Sequence, residues 1–192
     1  TYLIVSDHGF KSVHKEIQGN AILAKLGLLT AEGGKITACD AQLIPGGGTA
    51  MVYITRPERR AELVPLLRQA FEATEGVERV AEPSEYSAYR LPSPQNNPQM
   101  GDLLLIGKSG YAFSSAAEGE AVVTAKEGKL GHHGYLNDDP EMDAIFIAWG
   151  YGIRPGARLT SVRNVDVAPT IAVLLGLDLP GTEGRALTEI LK

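Results

Sequence analysis

Two short histidine-containing segments carry the residue types of a metal site. Residues 6–10 read Ser-Asp-His-Gly-Phe, and residues 131–135 read Gly-His-His-Gly-Tyr. Glycine beside each histidine lets the backbone pass close to a bound ion, because glycine has no Cβ atom. Asp7 offers a charged oxygen and His8 a neutral nitrogen, a pair that suits zinc and, less specifically, manganese or iron. The two segments therefore indicate a metallohydrolase.

The second segment offers two histidines, and the local pattern does not choose between them. Neighbouring side chains of an extended chain point to opposite sides, so His132 and His133 cannot both face one ion. We expect one of them to be the ligand and the other to lie at the rim. His14 stands alone and is interpreted as structural. We interpret the four carboxylates that follow as a solvated acidic turn: Asp138, Asp139, Glu141 and Asp143.

Composition and the missing motifs exclude several classes of protein. The net charge of −5 argues against a protein that coats nucleic acid, since phosphate binders usually carry a basic surplus. No apolar run approaches the ~20 residues of a membrane-spanning helix. A P-loop and a serine-hydrolase G-x-S-x-G motif are both absent. Cys39 is the single cysteine, which fits the cytoplasm without excluding an exported protein, so the localisation stays open.

The elements predicted around the two segments alternate between strands and helices, as in an α/β protein. Residues 2–5 are predicted to form a strand buried on both faces that ends directly before Asp7, and ligands of open α/β sheets gather at the carboxyl ends of strands. Further strands are predicted over residues 50–54, 77–80, 102–106, 111–113 and 144–148, and helices over residues 20–28, 59–72, 169–175 and 187–191. The interval 46–113 is interpreted as an inserted α+β lobe that covers the sheet as a lid.

The chain begins inside an apolar run, without an initiator methionine or the features of a signal peptide. We therefore expect it to be a fragment of a longer protein. A truncated sheet would leave an uncovered edge, and such an edge favours association between copies or aggregation.

The two histidine segments resemble the conserved loops of the type I phosphodiesterase/nucleotide pyrophosphatase branch of the alkaline phosphatase superfamily. Residues 140–150 and 164–177 resemble the C-terminal part of such enzymes, and residues 101–113 resemble the region between the two loops. The resemblance covers essentially the whole chain, residues 1–192. It implies part of an alkaline-phosphatase-like doubly wound sheet with a small α+β insertion.

The resemblance also implies roles for individual residues. The ligand of a G-x-H-G loop is the histidine before the second glycine, which is His133 here. Asp7 and His8 would hold the metal ion that also binds the nucleophile, and His133 would hold a second ion. Such enzymes use two zinc-like ions to clamp a phosphoryl group, which implies a phosphate-ester or nucleotide-like small-molecule substrate.

One departure from the family pattern limits what this chain is expected to do. The family's nucleophile and its remaining metal ligands precede the D-H-G loop, and only six residues precede Asp7 here. No residue of this chain is therefore assigned as the nucleophile, the two-metal site is incomplete, and we expect the chain alone to be inactive. Two alternatives stay open: another reaction of the superfamily (phosphomonoesterase, phosphonoacetate hydrolase or phosphomutase), or a non-catalytic binding domain on the same scaffold.

Overall fold

The computed structural model describes residues 1–192, except for the side chain of Lys129. Three α-helices lie at Gly19–Lys25 (α1), Arg60–Glu72 (α2) and Val167–Leu175 (α3). The strands are Tyr2–Val5 (β1), Lys11–Gln18 (β2), Leu29–Glu32 (β3), Lys35–Cys39 (β4), Ala41–Pro45 (β5), Thr49–Ile54 (β6), Val77–Ala81 (β7), Leu103–Gly107 (β8), Tyr111–Ser114 (β9), Val123–His132 (β10) and Phe146–Trp149 (β11). Short 3-10 turns lie at Pro57–Arg59, Pro83–Tyr89, Pro140–Met142, Asn164–Asp166 and Thr188–Ile190.

The chain folds into two units, which are described separately. The terminal unit consists of Thr1–Gly9 together with Asp143–Lys192, and the central unit of Phe10–Met142. The predicted lobe 46–113 lies within the central unit, and its status as a separate lid stays a prediction. None of the described helices is long and apolar enough to cross a bilayer.

In the terminal unit, β1 and β11 form an antiparallel pair in which Tyr2 lies opposite Trp149 and Ile4 opposite Ile147. Paired residues point to the same side, and all four side chains are exposed, with 64% for Tyr2. The prediction that residues 2–5 form a strand is confirmed, but the prediction that it is buried on both faces is wrong. An apolar run identifies a strand, whereas burial requires a second layer, and nothing in the described part of the terminal unit covers this face.

The remainder of the terminal unit packs on the other side of this strand pair. Its small core joins Ile153, Leu187 and Ile190 to Phe146 of β11. Helix α3 begins two residues before the predicted position 169 and ends, as predicted, at Gly176, whose φ of 68° is left-handed. The predicted last helix is only the 3-10 turn Thr188–Ile190.

The core of the central unit lies between α2 and a four-stranded antiparallel sheet with the order β5-β6-β8-β7. The helix buries Leu63, Leu67 and Phe71, which share one face because they are spaced by four residues. β8 is buried along its whole length, as a central strand should be. The predicted helix and strands of this region are confirmed to within two residues at each end.

A three-stranded sheet with the order β10-β2-β9 was not predicted, although it carries the second histidine segment. β2 reads Lys-Ser-Val-His-Lys-Glu-Ile-Gln, in which polar residues surround Val13 and Ile17, its two fully buried apolar side chains. β10 pairs antiparallel with β2 through an irregularity between Ala125 and Leu130. The register places Lys11, the first residue of β2, opposite His132, so this sheet positions the loop that begins at His133.

Candidate metal-binding loops

The first candidate loop follows β1 and is fixed through its backbone. The Ser6 N–H donates to the Ile145 carbonyl over 3.2 Å, and the Ile145 N–H donates to Ser6 Oγ over 3.0 Å. The side-chain amide of Asn164 donates to the Asp7 carbonyl oxygen over 2.8 Å. Two segments of the terminal unit that are distant in sequence therefore hold the backbone on which Asp7 and His8 stand.

The segment that carries Asn164 is itself held by a buried carboxylate. Asp166 accepts a hydrogen bond from Arg163 Nη2 over 2.8 Å and another from the Arg185 N–H over 3.0 Å. These donors favour the ionised form and lower the pKa of Asp166 to about 2. Asp166 occupies the N-cap position of α3, but its side chain makes no cap hydrogen bond to this helix.

The geometry of the first loop defines the donor atoms that Asp7 and His8 offer. His8 Nδ1 lies 2.9 Å from the Gly9 carbonyl oxygen, and a carbonyl can only accept, so Nδ1 is the donor of this hydrogen bond. His8 Nε2 lies 3.4 Å from Asp7 Oδ2, and the Asp7 side chain is 86% exposed. Two ligands at about 2.0–2.1 Å from one tetrahedral zinc ion are themselves roughly 3.4 Å apart. The two side chains are therefore spaced as ligands of a single ion.

The second candidate loop, residues 132–135, lies against the glycine-rich segment 46–49. The Gly48 N–H donates to the His133 carbonyl and Thr49 Oγ1 donates to the Gly134 carbonyl, each over 2.8 Å. Gly134 has a φ of +77°, and a Cβ atom there would lie 1.7 Å from the Gly46 carbonyl oxygen. Glycine at this position therefore allows the two backbones to touch.

The two histidines of this loop have different surroundings. The His133 N–H donates to His132 Nδ1 over 3.1 Å, which uses the lone pair of that nitrogen and places the proton of the neutral His132 ring on Nε2. A neutral His132 in this geometry therefore offers no lone pair to an ion. The His133 ring lies edge-on to Phe10, with centroids 5.8 Å apart.

A buried lysine organises the acidic turn that follows His133. Lys11 Nζ lies 2.5 Å from Asp139 Oδ2 and 3.2 Å from Glu141 Oε2, and the Lys11 side chain is only 9% exposed. The hydrogen bond from Lys11 lowers the pKa of Asp139. The interpretation of this turn as solvated is therefore wrong for Asp139, whose side chain is 24% exposed, whereas the Glu141 side chain is 63% exposed. No local motif marks Lys11, since its role depends on the β2–β10 pairing.

The donor chemistry fits part of a metal site. Asp7 and His8 belong to the terminal unit and His133 to the central unit. Within the described residues, no group of three or more His, Cys, Asp or Glu side chains is arranged to hold an ion. The Asp7–His8 pair suits two positions of a tetrahedral zinc site and leaves the others to further ligands.

Comparison with known families places these loops in context. The family model described as type I phosphodiesterase / nucleotide pyrophosphatase matches residues 1–136, which include both histidine loops. The chain belongs to this family. The family assignment made from the two loops is thereby confirmed.

Members of the type I phosphodiesterase family and its superfamily are similar to parts of this chain. A bis(5'-adenosyl)-triphosphatase, enpp4 of Mus musculus, is 28% identical over 83 residues, which are 43% of this chain and 16% of that protein. The alkaline phosphatase PafA of Elizabethkingia meningoseptica is 26% identical over 103 residues, or 53% of this chain and 17% of that protein. The relatives are phosphoric ester hydrolases, so the chain belongs to a family of phosphoester hydrolases.

Solved structures extend the likeness to the fold. Murine ectonucleotide pyrophosphatase/phosphodiesterase 5 (ENPP5) has a TM-score of 0.71 at 18% identity, and the match covers 99% of this chain and 45% of that chain. An inactive variant of the same murine protein in complex with AMP gives a TM-score of 0.70. The predicted α/β class with an alkaline-phosphatase-like fold is confirmed, and this chain spans less than half of the ENPP5 chain.

Proposed function

We propose that this chain is the C-terminal portion of a zinc-dependent hydrolase of the phosphodiesterase/nucleotide pyrophosphatase type. In this proposal, Asp7 and His8 bind one zinc ion and His133 binds a second. The observation that carries the proposal is the family match over residues 1–136, a range that includes both histidine loops.

The local geometry supports this choice of ligands. The hydrogen bond between His8 Nδ1 and the Gly9 carbonyl fixes the orientation of the ring, and Nε2 lies 3.4 Å from the Asp7 carboxylate. In the second loop, the backbone N–H of His133 engages His132 Nδ1, which favours His133 as the ligand. This argument from hydrogen bonding agrees with the position of His133 before the second glycine of the loop.

Several residues of this chain position the proposed metal ligands, and the bound ions would supply the chemistry. When bound, the two ions would polarise a phosphoryl group, activate the nucleophile and stabilise the leaving oxygen. Asn164 fixes the Asp7 backbone, and Thr49 and Gly48 fix the backbone of the His133 loop. Lys11 binds the acidic turn that follows. Each of these contacts reduces the freedom of a ligand before an ion arrives.

The ligand count supports the proposal that the chain is a portion of the complete enzyme. A two-zinc site needs about three protein ligands for each ion, and the proposal identifies Asp7, His8 and His133. The chain also spans 45% of the ENPP5 chain. We infer that the nucleophile and the other ligands lie in the part of the fold that this chain does not contain.

A phosphate ester or nucleotide-like small molecule is the proposed substrate. The murine ENPP5 variant that contains AMP supports a nucleotide-like substrate for this fold. The similarity to the alkaline phosphatase PafA supports a phosphomonoester as the second candidate. The two candidates differ in whether the complete enzyme prefers a phosphodiester or a phosphomonoester.

We expect this chain, supplied with zinc, to hydrolyse neither bis(4-nitrophenyl) phosphate nor 4-nitrophenyl phosphate above the rate of zinc alone. A longer protein that carries this chain should cleave the diester faster than the monoester and lose this activity when His133 is replaced by alanine. Spectrophotometric release of 4-nitrophenolate measures both rates. Turnover by the 192-residue chain that His133→Ala removes would contradict the proposed incompleteness, and faster monoester cleavage by the longer protein would favour a phosphomonoesterase.

A further inference from the structure

We propose that residues 46–49, here called the glycine platform, are a positioning element for His133, and that Thr49 sets the affinity of this histidine for zinc. The inference rests on the proposed function only in taking His133 as a ligand. It assigns a role to a segment that lies more than eighty residues before His133 in the sequence.

The glycine platform binds the backbone that directly follows the His133 side chain. The Gly48 N–H donates to the carbonyl of His133, and Thr49 Oγ1 donates to the carbonyl of Gly134, the next residue. These two carbonyls belong to the two consecutive peptide groups that follow the His133 Cα. The His133 N–H, on the other side of the Cα, donates to His132 Nδ1 over 3.1 Å, so the chain is held both before and after this residue. The direction of the Cα–Cβ bond follows from that backbone.

The platform is itself anchored to the core of the central unit. The Phe113 N–H donates to the Gly47 carbonyl over 2.7 Å, and the Gly107 N–H donates to the Gly48 carbonyl over 2.8 Å. Gly107 ends β8 and Phe113 lies in β9, and both strands contribute to the buried core. The platform therefore transmits the rigidity of these strands to the His133 loop.

Steric constraints show why the platform is built of glycine. A Cβ atom on Gly47 would lie 2.2 Å from the His133 carbonyl oxygen and 2.5 Å from His132 Nδ1. A Cβ atom on Gly48 would lie 2.3 Å from the ring of Tyr135. Real Cβ atoms do not approach other atoms so closely, so a side chain at either position would displace the His133 loop. The close approach of this segment to the His133 loop therefore requires glycine at positions 47 and 48.

The test is a zinc titration of the 192-residue chain, followed through the imidazole 15N and 1H signals of its four histidines. In the wild-type chain we expect the His8 and His133 signals to respond. Thr49→Val removes the hydroxyl donor at nearly constant shape, and we expect it to weaken the His133 response about 10-fold, the lower end of the effect of residues that hydrogen-bond around a ligand. The His8 response should not change, and Thr49→Ser should restore the His133 response.

Two matched controls separate positioning from a general loss of stability. Thr37→Val removes a hydroxyl that donates to the Thr30 carbonyl in the β3–β4 sheet, and it should leave every histidine response unchanged. Gly47→Ala should shift the His133 signal and weaken its response. Gly119→Ala places alanine at a similarly unfavourable φ of +116°, but the nearest atom is 3.5 Å away, so it should leave His133 unaffected.

The outcomes distinguish failure of the inference from failure of the proposed function. Equal His133 responses in Thr49→Val and wild type would overturn the inference, as would a parallel loss at His8 and His133. A wild-type His133 that does not respond to zinc would overturn its role as a ligand and with it the claim about affinity. In that case the positioning role of Thr49 is tested in the metal-free chain. Nuclear Overhauser contacts between His133 and Phe10 should weaken in Thr49→Val, and unchanged contacts would overturn this positioning role.

Discussion

Replacing His8 by alanine should abolish zinc binding at the loop that follows β1. Only the Asp7 carboxylate, which is largely exposed, would then remain there as a proposed donor. Residues that merely hydrogen-bond to a ligand change metal affinity by roughly 10–100-fold, so removal of a ligand itself should exceed about 100-fold. Isothermal titration of the 192-residue chain with zinc chloride measures the loss.

The matched control for this prediction is His14→Ala. His14 lies on β2 with an exposed side chain, and the proposal gives it no role at an ion. This variant should bind zinc as the wild-type chain does. Equal affinities for His8→Ala and the wild-type chain would show that zinc binds elsewhere.

Replacing Lys11 by methionine should destabilise the central unit by about 1–3 kcal/mol, because removal of the buried cation leaves the partly buried Asp139 carboxylate without its partner. Asp139 and Glu141 would lose their shared cation, and methionine keeps most of the buried volume of the lysine side chain. In a protein of this size, each kcal/mol corresponds to roughly 2–4 °C in Tm. Thermal unfolding followed by circular dichroism measures the difference between the variant and the wild-type chain.

The pH dependence of this difference follows from the two pKa shifts. Lys11 lowers the pKa of Asp139 below its usual 3.8, so the stabilisation is complete above that value and is lost as the pH falls through the lowered pKa. The same contact raises the pKa of Lys11 above its usual 10.5, so the stabilisation is complete below that value and is lost at still higher pH. The difference in Tm should therefore be constant near neutral pH and shrink in acid.

Lys126→Met provides the control for the Lys11 substitution. Lys126 Nζ pairs with Glu16 Oε2 over 2.9 Å, but its side chain is 36% exposed. Exposed ion pairs contribute about 0–1 kcal/mol, so this variant should lose less than Lys11→Met. An equal loss in both variants would contradict the view that burial gives the Lys11 contact its strength.

The sequence predicted those elements whose apolar pattern alone determines them. Leu63, Leu67 and Phe71 recur at helical spacing, and their helix is found almost to the residue. The run Leu103–Gly107 is apolar throughout and forms a central strand. β2 was missed because Val13 and Ile17 stand among polar residues, and its pairing with β10 joins positions more than one hundred residues apart. Local periodicity does not encode such distant partners.

The same distinction applies to the candidate site: residues in short local motifs were predicted, and residues whose partners are distant in sequence were not. Asp7 and His8 were identified because they lie in a short motif followed by glycine, whereas the resemblance to the family selected His133 over His132. Asn164, Thr49 and Lys11 were not, since an isolated amide, hydroxyl or ammonium group reveals its partner only after folding. The proposed ligands are thus predictable from the sequence, whereas the groups that position them are recognised only in the structure.

The most direct test of the central claim is the number of zinc ions that the wild-type chain binds, and how tightly, measured by isothermal titration calorimetry. We predict only weak binding and no tightly bound ion, because Asp7 and His8 supply two ligands to one ion and His133 a single ligand to the other. Two tightly bound ions per chain would contradict the claim, since they would require a complete site within these 192 residues.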